Sequence, residues 1–333
     1  MITFLNPADH IGADKVKKLW LQIRLYLLLG LMFAIVYAMV TLVASSMGIS
    51  SFAFYGGLAS ALLLIQYLIG PKMVEWSMRI RYVSESEYPL LHRMVAEMAQ
   101  RAGIPKPRIG IASIPIPNAF AFGRWKSDGR VCVTEQIMRL LSPDELKAVI
   151  GHEIAHLKHR DVAVITTLSV IPMIMWYIAW STMLSGGRDR GNIIIIGIFA
   201  FLMYFITNLL VLYASRIREY YADERSVKLG NAPHNLASAL YKLVYGSARM
   251  DKEELRHTEG LKAFFVNDPS RAMAEIRELS QIDRDMSGTI DQNELMMLST
   301  KKLKVSTSDK IMELMSTHPN MVKRVHRLSR IAR

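Results

Sequence analysis

Two histidines and a glutamate in the segment GHEIAHLKHRD, residues 151–161, have the spacing of a catalytic metal site. On a helix, His152 and His156 lie four residues apart and share one face, so both imidazoles can reach the same ion. Glu153 projects beside them, where it can hold a water molecule and take its proton. Zinc lowers the pKa of a bound water towards about 7, which gives a nucleophile at neutral pH. The pattern predicts zinc-dependent hydrolysis; the simpler alternative is two surface histidines on an ordinary helix.

A catalytic zinc site needs a third protein ligand and an open fourth position. The extended pattern H-E-x-x-H-x-x-G-x-x-H does not supply it, because His159 stands at the glycine position and Val162 at the last histidine position. A carboxylate from a second helix is the alternative, and Glu219 in SRIREYYADE is the best candidate. Asp223 follows one turn later and can orient a ligating histidine by a hydrogen bond. Ion pairing with neighbouring arginines explains both carboxylates equally well; these arginines are Arg216, Arg218 and Arg225.

A second group of oxygen donors follows the spacing of a calcium-binding EF-hand loop in DRDMSGTIDQNE, residues 283–294. Gly288 stands at the sixth position, where such a loop turns sharply, and helical patterns flank both sides. Hard oxygen ligands of this kind favour Ca²⁺ over zinc. A polar turn between two helices is the alternative, since such turns also favour Asp, Ser and Gly. The predicted calcium ligands are Asp283, Asp285, Ser287, the carbonyl of Thr289, Asp291 and Glu294.

The elements that must position the zinc ligands are predicted by local sequence signals. Ser142 begins S-P-D-E, a hydroxyl N-cap followed by Pro143 and acidic residues, so a capped helix is predicted to carry the metal motif. Before it, PRIGIAS, NAFAFG and RVCVTE are predicted as short strands, the last two paired as a hairpin across KSDGR. The C-terminal part is predicted to be mostly helical, so the expected fold is mainly α with a small β-sheet.

Four long apolar runs surround these segments, at residues 25–44, 52–69, 162–184 and 193–213. Each is long enough to cross a hydrocarbon core of about 30 Å as a helix. One such run could be a buried core helix, but four are hard to bury without lipid. The sequence therefore predicts four transmembrane helices in two hairpins, with Pro172 kinking the third.

Lysine and arginine flank the span ends that fall on one side, which predicts that both termini and the catalytic part face the cytosol. The loop SGGRDRGN on the opposite side carries Arg188 and Arg190, against this rule. The formal charge of +12 accompanies no nucleic-acid recognition motif, so no nucleic-acid partner is expected. Cys132 is the only cysteine, so no intramolecular disulfide forms, which suits a reducing compartment. The expected location is the plasma or inner cell membrane, with the lipid bilayer as a partner.

From about residue 80 to 230, and again near the C-terminus, the chain resembles the HtpX-type membrane zinc metallopeptidases, which share a superfamily with the prenyl-protein (CAAX) peptidases. The blocks that carry the resemblance are AGIPKPRI, NAFAFG, VTEQIMRLLSPDELKAVIGHEIAHLKHRD, SRIREYYADE and THPNMVKR. It implies a gluzincin-like peptidase domain. The resemblance implies that His152, His156 and Glu219 bind zinc, that Glu153 is the base and that Asp223 orients a ligand. It implies that His318 stabilises the oxyanion and that Arg324 organises the site. It also implies that a substrate peptide pairs along Asn118, Ala119, Phe120 and Ala121.

Considered without the resemblance, a helix cap and a basic surface residue explain His318 and Arg324. The predicted function is a membrane-embedded endopeptidase with one zinc per chain, and the resemblance implies misfolded membrane proteins as polypeptide substrates. One alternative is a prenyl-protein peptidase. Another is a transporter or calcium-responsive scaffold with a structural zinc site, in which four protein ligands would bind the ion. No oligomeric state is predicted. The expected parts are a transmembrane hairpin at 1–80, a catalytic α/β part at 81–160, a second hairpin at 161–215 and a helical part completing the site at 216–333.

Overall fold

A computed structural model describes residues 31, 64–65, 68–184, 190–248, 275, 279, 282–300 and 312–332. Apart from residue 31, the predicted span at 25–44 lies outside these residues, as does most of the predicted span at 52–69. The chain divides into two compact units, residues 1–60 with 167–217, and residues 61–166 with 218–333. The predicted zinc ligands all belong to the second unit.

The described elements confirm a mainly helical fold with one small sheet. A 3₁₀ turn at Lys126–Asp128 occupies the predicted KSDGR hairpin turn. In chain order the elements are β1 (Ile80–Tyr82), α1 (Pro89–Ala102), β2 (Arg108–Ala112), β3 (Ala119–Phe122), β4 (Arg130–Thr134), α2 (Glu135–Leu140), α3 (Pro143–His159), α4 (Asp161–Leu184), α5 (Arg190–Lys228), α6 (Pro233–Ala248), α7 (Gln292–Leu298) and α8 (Met321–Ile331).

The sheet has four strands in the order β1–β2–β4–β3. Strands β2 and β4 are parallel, with Arg108 opposite Arg130, while β1 and β3 pair antiparallel on either side. Ala119 lies opposite Val133, so β3 and β4 form the predicted hairpin. This order leaves β3 at an edge of the described sheet, and β3 packs against α3.

Local signals fix where α3 begins. The Ser142 hydroxyl accepts a hydrogen bond from the Glu145 amide, and the Glu145 carboxylate accepts one from the Ser142 amide, which is a complete capping box. The same carboxylate accepts hydrogen bonds from Ser238 and Lys242 of α6. The cap therefore also ties the metal-motif helix to the helix that packs beside it.

Gly151 allows the closest approach to α3, one residue before the metal motif. A Cβ there would lie 2.4 Å from Nδ2 of Asn231 and 2.8 Å from Oγ of Ser226. Ser226 donates to the Ala148 carbonyl at 2.6 Å, and Asn231 donates to Ser226. The absence of a side chain at residue 151 thus lets the end of α5 pack directly onto α3.

Helix α5 is 39 residues long. Its Ile194–Lys228 section is long and apolar enough to cross a membrane, and it is the one helix among the described residues that meets both criteria. The predicted span 193–213 therefore lies inside a helix that continues without a break past Glu219. Helix α4 covers the predicted span 162–184, with Pro172 in its interior.

Candidate metal centre and active site

Three donor atoms from two helices converge in the second unit. Nε2 of His152 lies 3.1 Å from Nε2 of His156. Oε2 of Glu219 lies 3.4 Å from the first nitrogen, and Oε1 of Glu219 lies 3.4 Å from the second. Zinc bonds of 2.0–2.1 Å in a tetrahedral site place neighbouring donors about 3.3 Å apart. The spacing of these residues, hereafter the three-donor cluster, therefore fits one zinc ion.

Each histidine of the cluster has a carboxylate behind its other ring nitrogen. Nδ1 of His152 lies 2.9 Å from Oδ1 of Asp223, and Nδ1 of His156 lies 2.6 Å from Oδ2 of Asp161. A partner at Nδ1 fixes the imidazole so that the lone pair of Nε2 points at the ion. Sequence reasoning missed Asp161; its one signal is a carboxylate two residues after the end of the metal-motif helix.

Arg324 contacts both of the α5 carboxylates that lie at the site, Asp223 and Glu219. Its Nε and Nη2 contact the two oxygens of Asp223 at 2.9 and 2.6 Å, and its Nη1 lies 3.1 Å from Oε2 of Glu219. The side chain is fully buried. Burial lowers the pKa of the guanidinium, but the attraction of Asp223 and Glu219 outweighs it and raises the pKa. Arg324 is therefore a fixed positive charge inside the site rather than a basic surface residue.

The ionisable groups on α3 show what the site attracts. Burial by itself lowers the pKa of His152 and of His156. Hydrogen bonds and charge interactions with carboxylates outweigh burial and raise both pKa values. The main carboxylate is Asp223 for His152 and Glu219 for His156. Burial raises the pKa of Glu153, which is 5% exposed. The cluster therefore favours a bound cation, and Glu153 is a carboxylate with increased proton affinity.

His318 lies at the border of the same site. Its Nδ1 is 3.6 Å from Oε2 of Glu219, and neither ring nitrogen has a hydrogen-bond partner among the residues that the structure describes. Asn320 caps α8 by accepting from the Val322 amide at 2.9 Å, and this places Arg324 one turn into that helix. The segment THPNMVKR thus brings both predicted residues to the three-donor cluster.

The predicted substrate strand lies at the sheet edge. Ala119, Phe120 and Ala121 belong to β3, and all three are buried. Asn118 directly precedes the strand. Its backbone N–H donates to the Thr134 hydroxyl at 2.9 Å, and its backbone carbonyl accepts from the backbone N–H of Thr134. One edge of β3 pairs with β4; in the described four-stranded sheet no strand pairs with the other edge.

The predicted calcium loop brings Asp283, Asp285 and Glu294 within 4.8 Å of one another. Local donors already contact these carboxylates: Asp283 accepts from the Ser287 and Gly288 amides, and Glu294 accepts from the Arg284 and Asp291 amides. Asp291 caps α7 by accepting from the Glu294 amide. The hydroxyls of Ser287 and Thr289 lie 2.9 Å apart.

Comparison with known proteins identifies the family. The sequence profile of "Peptidase family M48" matches residues 85–332, which is well over half of the chain. The chain belongs to peptidase family M48. It is 54% identical over 224 residues to a "Protease HtpX homolog" of Methanothermobacter thermautotrophicus, covering 67% of this chain and 86% of the relative. It is 39% identical over 252 residues to "Protease HtpX homolog 2" of Methanosarcina acetivorans, covering 72% and 86%.

Among solved structures, the chain is similar to "Crystal Structure of S. mikatae Ste24p", with a TM-score of 0.47 and 16% identity over 93% of this chain and 66% of that one. The M48 profile and the HtpX relatives confirm the predicted type, an HtpX-type membrane zinc metallopeptidase. The M48 match spans both α3 and α8, which carry the HExxH motif and Arg324.

Proposed function

We propose that this M48 peptidase is an endopeptidase whose active site is the three-donor cluster, with one zinc ion per chain held by His152, His156 and Glu219. The observation that carries the proposal is that the Nε2 atoms of two histidines lie 3.1 Å apart and 3.4 Å from the carboxylate of Glu219, with a carboxylate behind each imidazole. Two imidazoles and one carboxylate at this spacing are a ligand set that suits catalytic zinc. When bound, zinc supplies Lewis acidity and activates water at neutral pH.

Glu153 is proposed as the general base. It adjoins His152 on α3, is buried, and has a raised pKa. A base of that kind accepts a proton from the attacking water and returns it to the leaving nitrogen of the scissile peptide.

His318 and Arg324 are proposed to serve the oxyanion side of the reaction. The ring nitrogens of His318 are buried and free of hydrogen bonds among the described residues, so they are available to the oxygen of a polarised carbonyl. Arg324 keeps Glu219 and Asp223 in place through three contacts of 2.6–3.1 Å. Loss of either residue should therefore lower turnover, but only loss of Arg324 should disturb the cluster itself.

The substrate is proposed to add to β3 as a further strand. Strand β3 is the last strand at one side of the described sheet, and it packs on the helix that carries His152 and Glu153. Backbone pairing there would align an extended peptide beside the base without selecting its side chains. That mode suits an endopeptidase acting on unfolded polypeptides, and we propose misfolded membrane proteins as the substrates.

The proposed setting is a cell membrane crossed four times, with the catalytic part in the cytosol. Support comes from the apolar section of α5 and from the apolar helix α4 over the third predicted span. The four-part division of the chain at residues 80, 160 and 215 stays a prediction.

The test is a casein-cleavage assay on the detergent-purified protein and its Glu153→Gln variant, each with and without zinc chelation. Cleavage by the wild type should stop on chelation, and the variant should retain zinc but lose cleavage. A transporter or scaffold with a structural zinc would show no cleavage in any arm. A prenyl-protein peptidase would leave casein intact and cut only a prenylated peptide.

Calcium binding by residues 283–294 also stays a prediction. It is supported by the match to the loop pattern and by the close approach of three carboxylates. Calorimetric titration of the full chain with Ca²⁺ tests it, with Asp285→Asn as the matched variant. Heat in the wild type that is lost in the variant would support the site, and no heat at millimolar Ca²⁺ would rule it out.

A further inference from the structure

We infer that Asp161 and Arg218 form a positioning pair that holds His156 in the orientation needed to bind zinc. The inference rests on the zinc centre proposed above and adds two residues to it. Asp161 is the first residue of α4, and Arg218 lies directly before Glu219 on α5. Both lie outside the HExxH motif.

His156 needs support from outside its own helix because it lies near the end of α3. That helix stops at His159, and Arg160 then adopts the left-handed conformation with a φ of 56°, which is uncommon for a residue other than glycine. The last turn of a helix leaves carbonyls without intrahelical partners and frays readily. The side chain of His156 is 14% exposed, against 2% for His152 one turn earlier.

Asp161 supplies the support at the ring nitrogen that faces away from the cluster. Its Oδ2 accepts a hydrogen bond from Nδ1 of His156 at 2.6 Å. With the proton held on Nδ1, Nε2 keeps its lone pair and faces His152 and Glu219. The left-handed turn at Arg160 lets the chain reverse immediately after α3, so the first side chain of α4 reaches back to the metal ligand.

Arg218 holds Asp161 from the opposite side. Its Nη2 forms an ion pair with Oδ1 of Asp161 and also donates to the His159 carbonyl at 3.3 Å. Both charged side chains are 11% exposed, so solvent screens the pair only weakly. One guanidinium therefore fixes a carboxylate and also satisfies a carbonyl at the end of α3. Because Arg218 precedes Glu219, the same stretch of α5 supplies one ligand and stabilises another.

The arrangement at His156 repeats the arrangement at His152. There Nδ1 faces Asp223, which is in turn held by Arg324. Both zinc-ligand histidines thus end a histidine–aspartate–arginine chain built from different elements. Replacing a carboxylate that contacts a zinc-bound histidine typically weakens metal binding 10–100-fold. A change of that size is therefore expected at Asp161.

The test measures zinc affinity of full-length detergent-purified protein by competition with a chelator of known affinity. Asp161→Asn should weaken zinc binding about 10–100-fold. Asp144→Asn is the matched control, since Asp144 is exposed in the first turn of α3, the helix that carries His156. The zinc affinity of this control should equal that of the wild type. At saturating Co²⁺, the Asp161→Asn variant should hold one ion with a shifted visible absorption spectrum, which a loss of fold alone would not produce.

A double variant guards against misfolding, because Asp161→Leu with Arg218→Met removes both buried charges together. The double variant should fold, and its zinc affinity should be at least about 10-fold lower than that of the wild type. Unchanged zinc affinity and an unchanged Co²⁺ spectrum in Asp161→Asn would overturn the inference while the proposed function stands. A wild-type protein that takes up no zinc would overturn both.

Discussion

The three-donor cluster and the 283–294 loop both bring together side chains that can bind a metal, but they differ in what already contacts those side chains. In the cluster, aspartates contact the Nδ1 atoms of both histidines. The Nε2 atoms of His152 and His156 and the carboxylate oxygens of Glu219 face one another at 3.1–3.4 Å. In the loop, backbone amides of the loop itself contact the carboxylates that would bind the ion.

The difference shows how much each site depends on the fold. The loop's donors lie within twelve consecutive residues, so a local turn brings them together. The cluster takes its donors from α3 and α5 and its supporting charges from α4, α5 and α8. Burial makes these charges costly unless each is paired. Folding of the second unit therefore prepares the cluster for a cation, whereas the loop is stable as a turn without one.

The largest expected effect is at the third zinc ligand. Glu219→Gln should leave the protein without zinc after dialysis and lower casein cleavage by at least about 10³-fold, since the lost Lewis acid stabilises the transition state by several kcal/mol. Metal analysis and initial rates measure both. Full zinc retention by the variant would show that the cluster is not the metal site.

Arg324→Met tests the buried counter-charge of the cluster. The change removes the one buried guanidinium that contacts both Asp223 and Glu219, so we expect a loss of about 3–5 kcal/mol in the free energy of unfolding. Lys323→Met is the matched control, because its ion pair with Glu313 is about one third exposed on the lysine side and should contribute at most about 1 kcal/mol. Denaturant unfolding in detergent compares the two, and equal losses would contradict the account.

Substitutions at two glycines distinguish the cost of a steric clash from the cost of an unfavourable backbone conformation. Gly151→Ala places a methyl group against Asn231 and Ser226, which should cost about 1–3 kcal/mol and weaken zinc binding. Gly288→Ala meets no atom within 4 Å, but its φ of +77° should cost about 1 kcal/mol and affect only the loop. Thermal unfolding with zinc titration distinguishes them, and normal zinc affinity in Gly151→Ala would contradict the packing argument.

The smallest expected effect is a difference in pH dependence. Because carboxylates raise the pKa of His152 and His156 in the metal-free protein, protons compete with zinc at neutral pH. Apparent zinc affinity should therefore rise with pH, by up to about tenfold per unit for each proton displaced. Hydrogen bonds from Ser287 lower the pKa of Asp285, so any Ca²⁺ binding should not change between about pH 6 and 8. Zinc affinity that stays constant over this range would contradict the raised pKa values.

Local sequence signals predicted much of the framework. The S-P-D-E cap gave the start of α3, alternating apolar residues gave β2, β3 and β4, and the long apolar run gave the helix now seen as α5. Strand β1 was missed because three residues are too few to show an alternation. The segment after the fourth apolar run was predicted as a helix ending near Gly230, and α5 joins that helix to the run without a break as far as Lys228.

The site was harder to predict than the framework because its contacts are distant in sequence. Spacing alone could not separate zinc ligation by Glu219 from pairing with nearby arginines, and Asp223 is held by Arg324, 101 residues away. Asp161 has no motif of its own: a carboxylate at the start of a helix is ordinary, and its bond to His156 depends on the left-handed turn at Arg160. Such contacts follow from packing rather than from any local pattern.

The most direct measurement of the central claim is the zinc-edge X-ray absorption spectrum of the Glu153→Gln variant loaded with one zinc per chain. The account predicts nitrogen and oxygen neighbours at about 2.0–2.1 Å that include two imidazoles, with one imidazole lost in His156→Ala. A sulfur neighbour at about 2.3 Å, or a spectrum that His156→Ala leaves unchanged, would contradict it.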